Sequence, residues 1–353
     1  MRMLVTGGAG FIGSHLVDLL IEEGHDVVVI DDLSGGFREN VNKKAEFVLG
    51  SLNDVNLVNR TMKNVDTVFH LAAYAAESLS HFIKNFNYNS NLIGSVNLIN
   101  AAVNENVEKF LFTSSMAVYG TNQTPFNEDI IPNPEDSYGI SKYAVERELK
   151  ISNDLFGLKY VIIRPHNVHG ERQNIGDPYR NVIGIFMNRI MKGLPPIIYG
   201  DGEQTRAFSY ISDVAPCIAK APFIRQAENE IVNVGAAEPY SINKLSRVVL
   251  KAMNSDLKPL HAPPRYEVKH AFCTIDKSVR VLGYKTTVNL DEGVTKMANW
   301  AKKVGPRTSK IWERVEIEKN LPVFWKSLME TGELNVPTEE HAELSKPKEK
   351  KEA

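Results

Sequence analysis

The stretch Arg2-Met3-Leu4-Val5-Thr6-Gly7-Gly8-Ala9-Gly10-Phe11-Ile12-Gly13 decides the fold. Its first five residues read as a short apolar strand that runs directly into a glycine-rich turn. Apolar residues then recur at helical spacing through Phe11, Ile12, Leu16, Leu19 and Leu20 until Gly24 stops the helix. Asp26-Val27-Val28-Val29-Ile30 follows as a second strand, ending at Asp31. The order is strand, glycine turn, helix, strand, acid.

Each part has a physical use. Gly7 permits the tight turn, Gly10 lets backbone amides approach a pyrophosphate, and Gly13 lets the helix lie close to the strand. The helix N-terminus, at Phe11 and Ile12, offers unpaired N–H groups and the positive end of a dipole to phosphates. Asp31, with Asp32 beside it, falls where a carboxylate accepts from a ribose hydroxyl, and an acid there repels a 2′-phosphate. The stretch therefore predicts a dinucleotide site for NAD rather than NADP.

The chain has 353 residues, enough for a substantial core and two lobes. A formal net charge of −2 gives no global attraction to nucleic acid or an anionic membrane. Cys217 and Cys273 lie far apart without metal-site spacing and read as idle thiols of a reducing compartment. No apolar run reaches membrane-spanning length, and the first strand starts at the N-terminus without a leader, so the expected location is cytosolic.

Further strands are expected at Ala45 to Leu49, Thr67 to His70, Lys109 to Thr113 and Lys159 to Arg164, all buried. Helices are expected near Asp54 to Met62, Asn87 to Asn104 and Ser137 to Phe156. This alternation predicts an α/β fold of Rossmann type: a doubly wound parallel sheet with ligands at the carboxyl ends of its strands. After Arg164 the elements shorten: helix Val182 to Lys192, strand Ile197 to Tyr199, and helices Ser241 to Met253 and Leu290 to Lys303. They form a smaller lobe, interleaved with the first because Ile231 to Val234 reads as another strand of the sheet. The expected division is 1–170 with a returning segment 205–235 for the dinucleotide, 171–204 and 236–305 for the smaller lobe, and 306–353 as an extension. Ser309 to Met329 adds helical packing through Ile311, Trp312, Val315, Phe324 and Trp325, and 338–353 reads as a disordered tail.

Tyr138 and Lys142 are four residues apart on one predicted helix, so they share a face. A free tyrosine titrates near about 10, so proton transfer near neutrality needs a depressed pKa. An adjacent ammonium, helped by a positive nicotinamide, favours the phenolate and makes the pair a general base. Ser114 and Ser115, at the end of the preceding strand, open onto the same crevice.

With these residues in view the chain resembles the extended short-chain dehydrogenase/reductase family, and within it the nucleotide-sugar epimerases and dehydratases, from Met1 to about Lys303. The resemblance rests on Gly7, Gly10 and Gly13; His70-Leu71-Ala72-Ala73; Asn91; Ser115 with Val118-Tyr119-Gly120; and Tyr138 with Lys142. It continues through Arg164-Pro165-His166-Asn167-Val168-His169-Gly170, Gly200 to Arg206, and Asp213-Val214-Ala215. It implies Tyr138 as acid/base, Lys142 as the ribose-holding residue that lowers the tyrosine pKa, and Ser115 as a bridge to the reacting hydroxyl. It also implies cofactor contacts from Ser51, Leu52, Leu71, Ala72, Ala73, Asn91 and Pro165. The smaller lobe becomes a nucleotide-sugar lobe, with Asn167, Asn181, Val182, Tyr199, Arg206, Arg265 and Glu267 at the nucleotide diphosphate. Arginine suits that task because a guanidinium donates in bidentate fashion.

The reaction so implied is NAD-dependent 4-epimerisation of a UDP-sugar through a 4-keto intermediate. Dehydratases of the family carry an acidic pair just after the position of Ser115, and decarboxylating relatives an acid where Ala117 stands; this chain has Met116 and Ala117. The pattern also departs from the family at Ser51, often an Asp that meets the adenine, and at Tyr74 and Ala75, often polar near the nicotinamide. Glu77-Ser78-Leu79-Ser80-His81 borders the sugar pocket, with Glu77 as a substrate contact. Ala271 aligns with the sugar-pocket gatekeeper, and its small side chain is expected to admit a 2-acetamido group, adding UDP-GlcNAc/UDP-GalNAc to UDP-Glc/UDP-Gal. The alternatives are another nucleotide-sugar enzyme, such as a UDP-glucuronate 4-epimerase or a dehydratase, and an NAD-binding regulator without catalysis. No metal is expected: His166 and His169 lack accompanying ligands and read as satisfied structural histidines. A homodimer is expected, since relatives pair through the helices matching Asn87 to Asn104 and Ser137 to Phe156.

Overall fold

In a computed structural model, which describes residues 1–308, 312 and 315–331, the glycine turn lies at the centre of a seven-stranded parallel sheet. Its strands are β1 (Arg2–Thr6), β2 (Asp26–Asp31), β3 (Glu46–Leu49), β4 (Thr67–His70), β5 (Lys109–Thr113), β6 (Lys159–Pro165) and a returning strand, Glu230–Val234. The spatial order is returning strand, β6, β5, β4, β1, β2, β3. The order reverses beside β1, and a doubly wound sheet opens its ligand crevice at that point, outside the carboxyl ends of the strands.

Side chains alternate across a strand, and here both faces are covered. Met3, Val5, Val27, Val29, Phe69, Ile163 and Val232 join one buried cluster with the helices Phe11–Glu22 and Ile211–Lys220. Leu4, Val28, Val68, Phe110, Phe112 and Ile162 join the other, with Leu98, Ile99, Val145 and Leu149 from the helices Gly94–Asn104 and Ser137–Phe156. This double burial explains the near-continuous apolar runs. β3 departs from expectation: it is an edge strand rather than a buried one, with Glu46 exposed and Leu49 63% exposed.

The helical run expected from Asn87 starts at Lys84 and contains a π turn at Asn89–Ile93 before Gly94–Asn104. Beyond β6, the helices Val182–Met191, Ile242–Met253 and Leu290–Val304 share a separate cluster that includes Phe186, Leu245, Val249 and Met297. Thr205–Ala207 pairs with Pro239–Ser241 and His270–Ala271 in a small sheet of three strands. Of the extension, Trp312 and Val315 join Phe324 and Trp325 of the helix Val323–Thr331 against Leu79, Ile83, Tyr179 and Ile197. Ile311 and the tail 338–353 lie outside the described residues. No helix among the described residues is long and apolar enough to cross a membrane.

Candidate active site

A cleft of about 470 Å³ runs along the carboxyl ends of the sheet. At one end it is floored by the glycine turn. Gly7 has φ +73°, and a Cβ there would lie 2.7 Å from the amide nitrogen of Ala72; a Cβ at Gly13 would lie 2.2 Å from the Gly7 carbonyl oxygen. Only glycine fits these two positions. At Gly10 an added Cβ would meet the Gly7 carbonyl oxygen at 3.1 Å, a tight contact, and the residue borders the open space of the cleft. The donors of the helix N-terminus, Phe11 and Ile12, line that space.

Asp31 closes this end. Its Oδ2 accepts from the Ala9 amide at 3.0 Å and its Oδ1 from the Leu33 amide at 2.8 Å, leaving each oxygen a lone pair for a further donor. Burial raises its pKa, opposed by those two amides. Gly-turn, helix N-terminus and carboxylate together fit a dinucleotide with free ribose hydroxyls. Asp32, Ser51, Leu52, Leu71, Ala72, Ala73 and Pro165 line the same cleft.

The reactive groups meet farther along. Tyr138 and Lys142 sit one turn apart on the helix Ser137–Phe156, whose N-cap Asp136 accepts from the Gly139 amide at 2.8 Å. Ser115 caps the turn Met116–Tyr119 at the end of β5, accepting from the Ala117 amide at 3.1 Å. Its hydroxyl faces the Tyr138 phenol closely enough to favour the ionised form. Lys142 is 2% exposed; its Nζ donates to the Thr113 carbonyl at 2.9 Å and stands 5.7 Å from the Tyr138 ring centroid. Ser115, Tyr138 and Lys142 thus converge on one cavity.

The expected acidification of the phenol is not present in the protein alone. Burial pushes the Tyr138 pKa up, and the carboxylates of Glu77 and Asp136 add to that, outweighing the opposing effects of Ser115 and Arg180. Burial likewise pulls Lys142 down to about 7, with Glu146 opposing. Two desolvated partners each favour their neutral form, so the pair needs further positive charge beside the phenol before a base forms.

Glu77, Asn167, Asn181, Val182, Tyr199, Arg206, Arg265 and Glu267 also line the cleft. Glu77 is raised by desolvation and by Asp136, although its side chain is open to the cleft, so water there moderates the shift. The Arg206 guanidinium is already bonded to the carbonyls of Thr205, Lys269 and Val268 at 2.8, 3.0 and 2.6 Å. Arg265 donates twice to Glu267 Oε2, at 3.1 and 2.9 Å, and lies over the Tyr199 ring.

Two expected contacts lie elsewhere. Asn91 does not line the cleft: it accepts from the Tyr74 amide at 2.8 Å and donates to the Tyr74 carbonyl at 3.1 Å, bracing the wall from behind. Ala271 does not line it directly; it is buried behind Met116, which does, in a cluster with Val118, Phe126 and Cys273. The two histidines are less satisfied than expected: His166 bonds only through Nδ1, 3.3 Å from the Ala236 carbonyl, neither ring nitrogen of His169 has a hydrogen-bond partner among the described residues, and burial pulls both down to about 4. Among the described residues no group of three or more His, Cys, Asp or Glu could hold a metal ion. Tyr179 and Arg180 line the cleft without belonging to any motif read from sequence, and Tyr74, noted there only as a departure from the family pattern, lines it with them.

The chain is 39% identical over 308 residues to a putative UDP-glucose 4-epimerase of Methanocaldococcus jannaschii, covering 85% of this chain and 98% of that protein. It is also similar to the structure of a UDP-glucose 4-epimerase from Thermotoga maritima bound to UDP-glucose (TM-score 0.81, 36% identity, 86% of this chain and 99% of that one). A UDP-glucuronic acid 4-epimerase from Bacillus cereus, bound to UDP-glucuronic acid and NAD, gives a TM-score of 0.80 at 27% identity, over 86% of this chain and 100% of that one. Residues 3–235 match the sequence model of the NAD-dependent epimerase/dehydratase family, and the chain belongs to that family.

Proposed function

We propose that the protein interconverts the C4 epimers of a neutral UDP-hexose, UDP-Glc and UDP-Gal, with NAD held in the cleft. The division into a dinucleotide domain (1–170 with 205–235) and a nucleotide-sugar lobe (171–204 and 236–305) follows from the same reading. The convergence of Ser115, Tyr138 and Lys142 in a cleft floored by the glycine turn carries it. NAD, when bound, supplies the acceptor for the C4 hydrogen and a positive ring beside the phenol. The chain's own groups do the rest: Tyr138 Oη takes the proton of the C4 hydroxyl and later returns it, Ser115 Oγ bridges that hydroxyl to the phenol, and Lys142, one helical turn away, would hold the nicotinamide ribose.

Two features narrow the reaction and the sugar. Met116 and Ala117 follow Ser115, and neither can transfer a proton, which disfavours elimination of water or loss of a carboxylate. Glu77 faces the same region as Tyr138, and its carboxyl would repel a C6 carboxylate, which favours a neutral hexose over a uronate. Incubation with UDP-Gal, UDP-GalNAc and UDP-glucuronate, without added NAD and with products followed by NMR, tests the reading. UDP-Glc is the expected product. A 4-keto-6-deoxy sugar, a decarboxylated sugar, or turnover of UDP-glucuronate alone would overturn it.

A further inference from the structure

Arg180 enters the cleft from the segment just before the helix Val182–Met191. Its Nε donates to Asp177 Oδ2 at 2.7 Å, the two side chains being 12% and 7% exposed. Its guanidinium carbon lies 4.8 Å from the centroid of the Tyr74 ring, so the cation is seated on an aromatic face. The seat and the anchor fix the group while leaving its terminal nitrogens to point elsewhere.

One of them lies against Gly35, where an added Cβ would come within 2.6 Å of Nη2. The next residue, Gly36, is packed on the glycine turn: a Cβ there would be 2.5 Å from the Ala9 carbonyl, and the Phe37 amide donates to that carbonyl at 3.0 Å. The 35–36 segment is therefore one rim of the dinucleotide end of the cleft, and Arg180 reaches it from the far side.

The glycine turn supplies only neutral N–H donors, and the wall from Leu71 to Ala75 has no basic residue. Of the other basic residues that line the cleft, Arg206, Arg265 and Arg189 are engaged with protein acceptors, Arg189 through Nε to the Pro195 carbonyl at 2.7 Å, and Lys142 is turned to Thr113. A diphosphate lying on the turn would lack a cationic partner unless Arg180 supplied it.

We infer that Arg180 binds the diphosphate of the dinucleotide, donating from its terminal nitrogens across the cleft from the helix N-terminus. The inference rests on the NAD reading above. The sugar nucleotide carries the same chemical group, and the contact with Gly35 assigns Arg180 to the cofactor's.

NAD retained per protomer after purification, followed by calorimetric titration of nucleotide-stripped wild type, Arg180→Gln and Arg180→Lys, each with NAD and with UDP, tests this. Loss of a charge-assisted contact predicts an NAD affinity about 10- to 100-fold weaker for Arg180→Gln, with UDP affinity changed less than about threefold. Arg180→Lys keeps a point charge but not the fork, and recovers part of the loss. Unchanged NAD binding in a folded Arg180→Gln variant, or loss of UDP binding alone, overturns the inference. A wild type that neither carries NAD through purification nor binds it when added overturns the cofactor reading itself, which separates the two failures.

Discussion

Arg164 and Glu146 meet as a two-pronged ion pair, Nε to Oε1 at 2.9 Å and Nη2 to Oε2 at 2.6 Å, with both side chains 2% exposed. Glu146 is one turn beyond Lys142 on the helix that carries Tyr138, and it also accepts from the Ser114 hydroxyl, the neighbour of Ser115. The pair therefore ties the helix of the base to the strand end of the bridging serine.

Removing one partner strands a buried charge. Glu146→Ala is expected to cost about 3–5 kcal/mol, where Glu228→Ala, which breaks an exposed pair, costs about 1 kcal/mol or less. The comparison is direct because Lys159 and Glu228 are 50% and 39% exposed at 3.1 Å. Urea unfolding of both variants checks it, and equal costs would contradict the structural role given to Glu146.

Tyr138→Phe removes the proton acceptor without altering the ring packed beside Lys142. Loss of general base catalysis lowers kcat by about 10²–10⁴-fold. NAD content and UDP affinity stay near wild type, since neither needs the hydroxyl. Single-turnover assays together with NAD quantitation separate this from a folding defect; near-normal kcat would remove Tyr138 from the reaction.

Lys142 supplies a pH signature. Burial pulls it from 10.5 down to about 7. Between those values the unfolded chain holds a proton that the folded chain has shed, so stability rises with pH across this window and the burial penalty is complete below it. At about 1.36 kcal/mol per pKa unit the ceiling is roughly 5 kcal/mol. In Lys142→Met the penalty is gone, so relative to wild type the cofactor-free variant is most favoured near pH 6 and loses that advantage toward pH 10, while activity is abolished. Denaturant titrations at the two pH values give the answer, and a pH-independent gap would refute the assignment.

Much of this was legible in the chain because its signals are local. The strand, glycine turn, helix and acid of Arg2 to Asp31 are contiguous, and Tyr138 with Lys142 needs only helical spacing. What the sequence could not display depends on distant segments. Asn91 turns away from the cleft because a π turn carries it behind Tyr74, and Ala271 is placed by pairing with Arg206 in a small sheet. Arg180 gains meaning only once Gly35, far away in the chain, lies beside it.

Exposed apolar side chains mark the expected pairing surface. Ile140, Ile151 and Phe156 on the helix Ser137–Phe156 are 44%, 43% and 65% exposed, and Ile93 at the π turn is 46% exposed. We propose that they are covered in a homodimer. Ile140→Glu combined with Ile151→Glu should convert a dimer to a monomer in sedimentation velocity, the introduced charges resisting burial. A wild type that sediments as a monomer ends the proposal.

Trp325 makes the last case, because it tests whether the extension belongs to the working cleft. It is 1% exposed and packs edge-on to Phe82 and Tyr179, at centroid distances of 6.0 and 5.6 Å. Leu79, in the same cluster, belongs to the short helix Glu77–Ser80, and Ser80 Oγ accepts from the Tyr138 amide at 3.1 Å. Nearby, Trp312 donates through Nε1 to the Tyr74 hydroxyl at 3.0 Å, and Tyr74 seats Arg180. Packing lost at Trp325 is thus transmitted to the wall that presents Glu77 and to the helix of the base. Trp325→Ala should cost about 3–5 kcal/mol as a large core deletion. Trp312→Phe, a milder change, should raise KM for the UDP-sugar severalfold with the melting temperature nearly unchanged. If both variants keep wild-type KM, the extension braces the fold without shaping the site.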